Sequence, residues 1–422
     1  MTESPVALGL RENAAQFTLL VAINALVGAM VGLERSALPL VGEQEFGLAS
    51  SAAILSFIVA FGLAKAFTNL GAGALAERVG RRRLLIAGWV LALPVPLLIA
   101  EAPSWAWIVA ANVFLGVNQG LAWSMTVVMK IDLVGPRRRG LALGFNEAAG
   151  YAGVALAAAV SGWLAVELVA QDVLVVGGLA VAITGLLASI LFVRDTSPHV
   201  NLEQARDHSS DPGIAPPLAD AFRAATYRDR SLRSCSQAGL VNNLNDAMAW
   251  GLVPLFLAAD GASLGEIGLI AGLYPAVWGV GQIYTGHWSD RVGRRPLIVA
   301  GMLVQALALA FLAGSGGEIL VAALAAALLG TGTALVYPTL IAAVSDAVSP
   351  VARPAMVGVY RFWRDMGYVA GGLVAGVLAD AIDFSAAILI VAGLTAASGL
   401  WVAIDLPSPR RKARGQRFPQ RA

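Results

Sequence analysis

The sequence predicts an all-α membrane protein with twelve transmembrane helices in two pseudo-symmetric six-helix bundles. Three observations lead there. The 422-residue chain is 58% hydrophobic and only 13% charged, with a mean hydropathy of +0.72, whereas a soluble domain carries charge on about a quarter of its residues. Apolar stretches of about 20 residues, the length a helix needs to cross a bilayer, recur along it. A basic loop, Gly73-Ala-Leu-Ala-Glu-Arg-Val-Gly-Arg-Arg-Arg83, returns 213 positions on as Gly286-His-Trp-Ser-Asp-Arg-Val-Gly-Arg-Arg-Pro296, and Leu84, Ala87 and Gly88 then match Leu297, Ala300 and Gly301. Such a duplication places a candidate substrate path between the halves.

The helices follow from the alternation of apolar runs with loops of opposite charge. The predicted spans are 16–40, 48–71, 84–101, 105–130, 140–168, 172–193, 233–259, 264–285, 297–314, 318–344, 355–380 and 384–404. Glu43 and Glu45 separate the first two, Arg78 to Arg83 the next, then Glu101, Arg137 to Arg139, and Asp172. In the second half, Asp260 and Glu266, Arg291 to Arg295, Glu318, Arg353, and Asp380 and Asp383 do the same in turn. Basic loops stay on the cytoplasmic side. Both termini are therefore expected inside the cell, with the chain in the cell (inner) membrane. Low lysine with high arginine, alanine and glycine is in keeping with a GC-rich bacterial source.

Residues 194–232 form the one long polar stretch, read as a cytoplasmic linker between bundles 1–193 and 233–404, with a short surface helix around Asp220–Arg230. A basic tail, 405–422, follows. The first 15 residues lack the pattern of a cleavable signal. Cys235 is the sole cysteine, so an internal disulfide is excluded. His199, His208 and His287 fall in predicted loops, so a buried His/Cys metal site is not expected, oxygen ligands staying open; no cofactor is expected. The pI of 8.8 comes from the loop arginines and speaks for topology, not nucleic-acid binding.

The repeated loop matches a signature in each half: glycine, two residues, a small residue, an acid, arginine, any residue, glycine, then two or three basic residues. On this motif, twelve spans and a mid-chain linker, the chain resembles the major facilitator superfamily, and its drug/proton-antiporter-like members most. Physically, Gly80 and Gly293 permit a positive-φ turn. The acid, Glu77 or Asp290, can sit at a helix N-terminus in the opposite half. The arginines Arg78, Arg81, Arg291 and Arg294 can hold carbonyls, carboxylates or lipid phosphates. With Gly73 and Gly286, these residues are gating candidates. The competing reading is that the arginines only enforce topology. Two further family patterns are eroded. Gly116 stands where the resemblance implies an arginine before Gln119-Gly120, and Gly150-Tyr-Ala-Gly153-Val154 lacks the expected proline.

Charges within membrane spans suggest function by default. Four acids, Glu34, Glu147, Asp246 and Asp365, and four bases, Arg35, Lys65, Arg361 and Arg364, are found there. Asn242, Asn243, Asp246 and Trp250 share one face of helix seven, with Asn245 about 100° away. Asp246 is the first candidate for proton coupling, or else a structural aspartate tied to asparagines or a base. Glu147 and Asp365 are the other coupling candidates, with Glu147 expected near Gln282 or Tyr284. A Lys65–Asp365 pair, with Arg364 beside it, is expected to open and close with the cycle. Arg361 is expected to snorkel to the inner surface. Glu34 and Arg35 are expected at the outer interface.

The resemblance implies that helices one, four, seven and ten line a central cavity. Candidate cavity residues are Asn24, Arg35, Asn112, Gln119, Trp123, Asn242, Asn243 and Trp250, any of which could instead be interhelical glue. No G-x-x-x-x-G-K-[ST] loop is present, so an ion gradient is the expected driving force. The expected activity is proton-coupled export of a small organic compound by a monomer, not enzymatic catalysis. Uptake of an anionic metabolite, metal-cation export and a non-transporting sensor are the alternatives.

Overall fold

The computed structural model describes residues 6–135, 139–206, 216–316, 318–348 and 352–407. Twelve long helices dominate, and no strand occurs among the described residues. The first six are α1 (Ala14–Gln44), α2 (Ser56–Val79), α3 (Arg81–Ala100), α4 (Trp105–Val134), α5 (Arg139–Glu167) and α6 (Ala170–Leu191). The second six are α7 (Arg230–Ala259), α8 (Leu264–Val292), α9 (Arg294–Ala313), α10 (Ile319–Ala347), α11 (Arg353–Ala381) and α12 (Phe384–Asp405). Ten are apolar enough to cross a bilayer by composition alone. The exceptions, α7 and α11, carry the asparagine–aspartate stripe and the Arg361–Arg364–Asp365 cluster. They pack on each other, with α11 also on α2 and α7 also on α1. Asp246, Arg364 and Asp365 are buried and bonded within the protein, which is how such a helix is tolerated.

The two signature loops adopt one conformation. Gly80 (φ 94°, ψ 146°) and Gly293 (φ 98°, ψ 154°) each end one helix and start the next. Their amides close on Ala76 O at 3.1 Å and Ser289 O at 3.0 Å. This backbone region is open essentially to glycine alone, so Gly80→Ala and Gly293→Ala should each cost about 1–3 kcal/mol. Reversible SDS titration of the purified protein would register the loss, and unaltered midpoints would show that the loop relaxes instead.

In the linker, helix Ser197–Arg206 and a helical stretch from Leu218 to Arg228 are seen. The second corresponds to the surface helix expected around Asp220–Arg230. It packs on protein: Ala221 and Ala225 are buried, and Phe222 lies against Phe362 and Trp363.

The halves meet along two seams, α5 with α8 and α2 with α11. At the end bearing the acidic loops the seams are tight. A Cβ built on Gly162 would lie 2.5 Å from Gly268 Cα, and one on Gly376 2.6 Å from Ala52 Cα. Asp380 accepts hydrogen bonds from Ser50 Oγ (2.6 Å) and the amides of Ser51 (2.6 Å) and Ala52 (3.1 Å). It thereby ties the end of α11 to the N-terminus of the short helix Ser51–Ile54, whose partial positive charge favours a carboxylate. Helix α11 is glycine-lined on two faces. Gly367 and Gly371 approach α7 of their own half, while Gly372 and Gly376 approach the start of α2 and the short helix before it.

Candidate functional site

The centre of the molecule is a buried ion pair between the halves. Arg35 of α1 holds Asp246 of α7 through two bonds, Nη1–Oδ1 at 2.8 Å and Nη2–Oδ2 at 3.0 Å. Tyr368 of α11 donates to Asp246 Oδ2 at 2.6 Å. The guanidinium stacks over Trp250 at 5.3 Å, and Trp250 packs edge-on against Phe57, Phe61 and Tyr368. Arg35 is therefore not at an interface, as the sequence suggested. Helix α1 runs on to Gln44 through Pro39, which puts Arg35 about 14 Å below its end. Glu34 is buried as well. It turns into a cavity of the first half lined by Met30, Leu33, Val95, Pro96, Ile99 and Leu174, with Oε2 unpartnered.

A second charge layer lies nearer the basic loops. Arg364 donates to its neighbour Asp365 at 2.7 and 3.1 Å and also bonds the Tyr337 hydroxyl. Asp365 receives a further bond across the halves from Asn69 of α2, at 2.5 Å. The expected Lys65–Asp365 pair is not formed, because Asp365 is already held by Arg364 and Asn69. The Lys65 ammonium instead lies 5.0 Å from the Tyr368 ring centroid, 5.2 Å from Phe61 and 6.0 Å from Trp123. Arg361 is half-buried.

Glu147 does not reach Gln282 or Tyr284. It accepts from Trp123 Nε1 at 3.0 Å and from Asn146 Nδ2 at 3.2 Å, leaving Oε2 without a partner. Trp123 also packs on Tyr151, which stacks on Trp278 across the α5–α8 seam at 3.6 Å between ring centroids. The stretch Phe145-Asn-Glu-Ala-Ala-Gly-Tyr151 parallels Phe362-Trp-Arg-Asp-Met-Gly-Tyr368, so each half contributes one tyrosine to a seam.

Most of the neutral polar candidates tie helices within one half. Asn24 donates to Asn146 O at 2.6 Å and accepts from Thr126. Gln119 donates to Val27 O at 2.7 Å, and Asn112 donates to Ile108 O at 3.2 Å. Gln305 bridges Asn242 and Asn245, at 3.0 and 2.9 Å. Asn243 backs onto Gly367. Trp123 leaves the face of Asn112 and Gln119 because α4 makes a π turn over Gln119–Trp123. The extra residue in that turn slips the 3.6-residue register, a feature frequent at functional sites. At Gly116, a built Cβ would lie 2.5 Å from Phe61 O, so α2 occupies the place of the arginine side chain the resemblance implied.

At the basic end, Arg81 holds Asp132 at 2.8 Å and Arg294 holds Asp346 at 3.0 Å. These partners lie in the same half, on α4 and α10, and repeat like the arginines themselves. Thr196 also donates to Asp132, at 2.6 Å. Partial burial pushes the neighbouring Asp195 up, but bonds from Ser197 and the Arg82 amide and the charge of Arg81 hold it below the usual carboxylate range. Arg78 and Arg291 are exposed. The side chains of Glu77 and Asp290, and the surroundings of Gly73 and Gly286, lie outside the described residues, as do Arg137 and Arg138.

Sequence reasoning missed Lys130, which is fully buried and donates to Leu20 O at 3.1 Å. It was taken as the edge of its span, although α4 runs four residues further, to Val134. Asn69 and Tyr337 were also missed. Only the position of Asn69 in an apolar run on α2, one turn from Lys65, signalled it.

The family model described as Major Facilitator Superfamily matches residues 15–232 and 236–421. An MFS-type transporter of Salmonella typhimurium is 24% identical over 382 residues, covering 86% of this chain and 89% of the relative. A probable 4-methylmuconolactone transporter of Cupriavidus pinatubonensis is 26% identical over 235 residues, 54% of this chain and about half (52%) of that relative. The multidrug resistance protein MdtH of Aeromonas hydrophila is 32% identical over 161 residues, 38% of this chain and 40% of its own. The crystal structure of the nucleoside transporter NupG superposes with a TM-score of 0.74 at 14% identity, covering 93% of this chain and all of that one. With its helical bundle and duplicated loop, the chain is a multi-pass membrane transporter and belongs to the Major Facilitator Superfamily.

Proposed function

We propose that the chain is a secondary active transporter that exports a small organic compound in exchange for protons. Bundles 1–193 and 233–404, joined by the linker, rock about the central site in a cell membrane with both termini inside. The observation that carries this reading is the buried Arg35–Asp246–Tyr368 node. It joins α1 of one half to α7 and α11 of the other, so the halves cannot part there without breaking it. Protonating Asp246 removes the charge that holds Arg35, which makes the node releasable by a proton. Glu147, with one oxygen free beside Trp123, is the second coupling group. The relatives that transport or resist organic compounds support the substrate size and the direction.

Everted membrane vesicles with an imposed inward-acid gradient test this. A compound panel is added while a pH-sensitive dye reports proton release, for wild type and Asp246→Asn. Dissipation by at least one compound in wild type only is the expected result. Equal responses in both would transfer coupling to Glu147 or Asp365. Silence from the whole panel would overturn proton-coupled export.

A further inference from the structure

We infer that Lys65 is the anchor for an anionic group on the transported compound, which makes the substrate a planar organic carboxylate. This rests on the transport reading above and adds the substrate's charge and shape. The basic groups around the centre are not equally engaged. Asp246 is taken by Arg35, and Asp365 by Arg364 and Asn69. Glu147 already accepts from Trp123 and Asn146. Glu34 sits apart in its own cavity. Among Arg35, Lys65, Lys130 and Arg364, Lys65 alone has neither an ion pair nor a hydrogen bond among the described residues.

Lys65 is the basic group left available. Arg35 and Arg364 are locked in ion pairs, and Lys130 is fully buried and bonded to a carbonyl. Lys65 is half-buried and takes part in no ion pair or hydrogen bond among the described residues. Three aromatic rings from both halves surround its ammonium at 5.0–6.0 Å. Ring faces stabilise a cation only modestly compared with a charge-assisted hydrogen bond, so its donors remain available for an acceptor oxygen. The half-buried Trp123 beside it offers a flat apolar face to an unsaturated or ring-bearing body. A cationic or neutral compound would leave the ammonium unsatisfied, and a cation would be repelled by it.

The test uses purified full-length protein in lipid nanodiscs and three matched probes: 1-naphthoate, 1-naphthamide and 1-naphthylmethylammonium. Calorimetry should show naphthoate binding at least about tenfold more tightly than either other probe, one charge-assisted bond's worth of discrimination. Lys65→Gln should lose that margin and Lys65→Arg keep it, with unliganded melting confirming that both variants fold. Equal binding of the amide or the ammonium probe would overturn the proposal, as would naphthoate binding by Lys65→Gln within about threefold of wild type. The two readings fail separately. Naphthoate that binds through Lys65 but moves no protons in vesicles sinks proton exchange and leaves the anion site standing. Proton release driven by other compounds, without naphthoate binding, sinks the anion site alone.

Discussion

Asp246→Asn should destabilise the protein by about 3–5 kcal/mol and stop transport, the largest single effect expected in this chain. Removing one partner of a buried ion pair leaves the other charge uncompensated, and the loss is of that size. Arg35 has little else to turn to: its Nε has no partner, and Trp250 covers its face without accepting a hydrogen bond. Arg35→Gln should lose a similar amount, since Asp246 would keep only Tyr368 and the amide. The double variant Arg35→Gln/Asp246→Asn should recover most of the stability, because two neutral amides can bond each other and no charge is stranded. It should still fail to transport if release of the pair by a proton is part of the cycle. SDS titration reads the stability and vesicle assays the transport. Single variants that lose less than about 1 kcal/mol, the worth of an exposed pair, would mean the pair is open in the resting protein.

How much of this node was legible shows where sequence reading reaches. Composition, the repeated loop and the alternation of acidic and basic loops determine the bundle, because each follows from the bilayer's demand for apolar length and sided charge. Asp246 was legible for the same reason: a carboxylate in mid-span needs a partner. Its partner was not, because the depth of Arg35 depends on where α1 stops. Gly42, Glu43 and Gln44 look like loop, and Pro39 looks like a terminus. Yet Leu38, Leu40 and Val41 are buried, and that packing carries the helix on. The missing Lys65–Asp365 pair has another cause. Asn69 lies one turn from Lys65 on the same face of α2, and spacing alone cannot choose between two donors.

The repeat was more informative about construction than about the gate. Of its gating candidates, Arg81 and Arg294 clasp acids of their own bundles, Asp132 and Asp346. Each therefore fixes the loop onto the fourth helix of its half. Such clasps make each bundle a stiffer body, which is what rocking between two states requires.

The seams are where that rocking can be blocked. Gly268→Leu should hold the acidic end apart and abolish transport. In the closed arrangement a Cβ at 268 would sit 2.7 Å from Gly162 Cα and 3.1 Å from Ala158 O. Both are backbone or nearly so, and no rotamer change clears them. Overpacking of this kind costs typically 1–3 kcal/mol and occasionally more, and a rigid backbone neighbour belongs at the upper end. The cost exists only while α5 and α8 touch there. A state in which they separate pays none of it, so the population shifts toward that state by up to about a hundredfold, at 1.4 kcal/mol per tenfold. Cys235 is buried and the chain's only cysteine, so a Cys235→Ser background allows spin labels at Leu168 and Asp260, both exposed at the ends of α5 and α7. Pulsed dipolar spectroscopy should then show a longer label separation in Gly268→Leu than in the parent. Gly268→Ala should fall between, since it adds the Cβ without the branched end. An unchanged separation with normal transport would mean that this contact is incidental and that the halves part elsewhere.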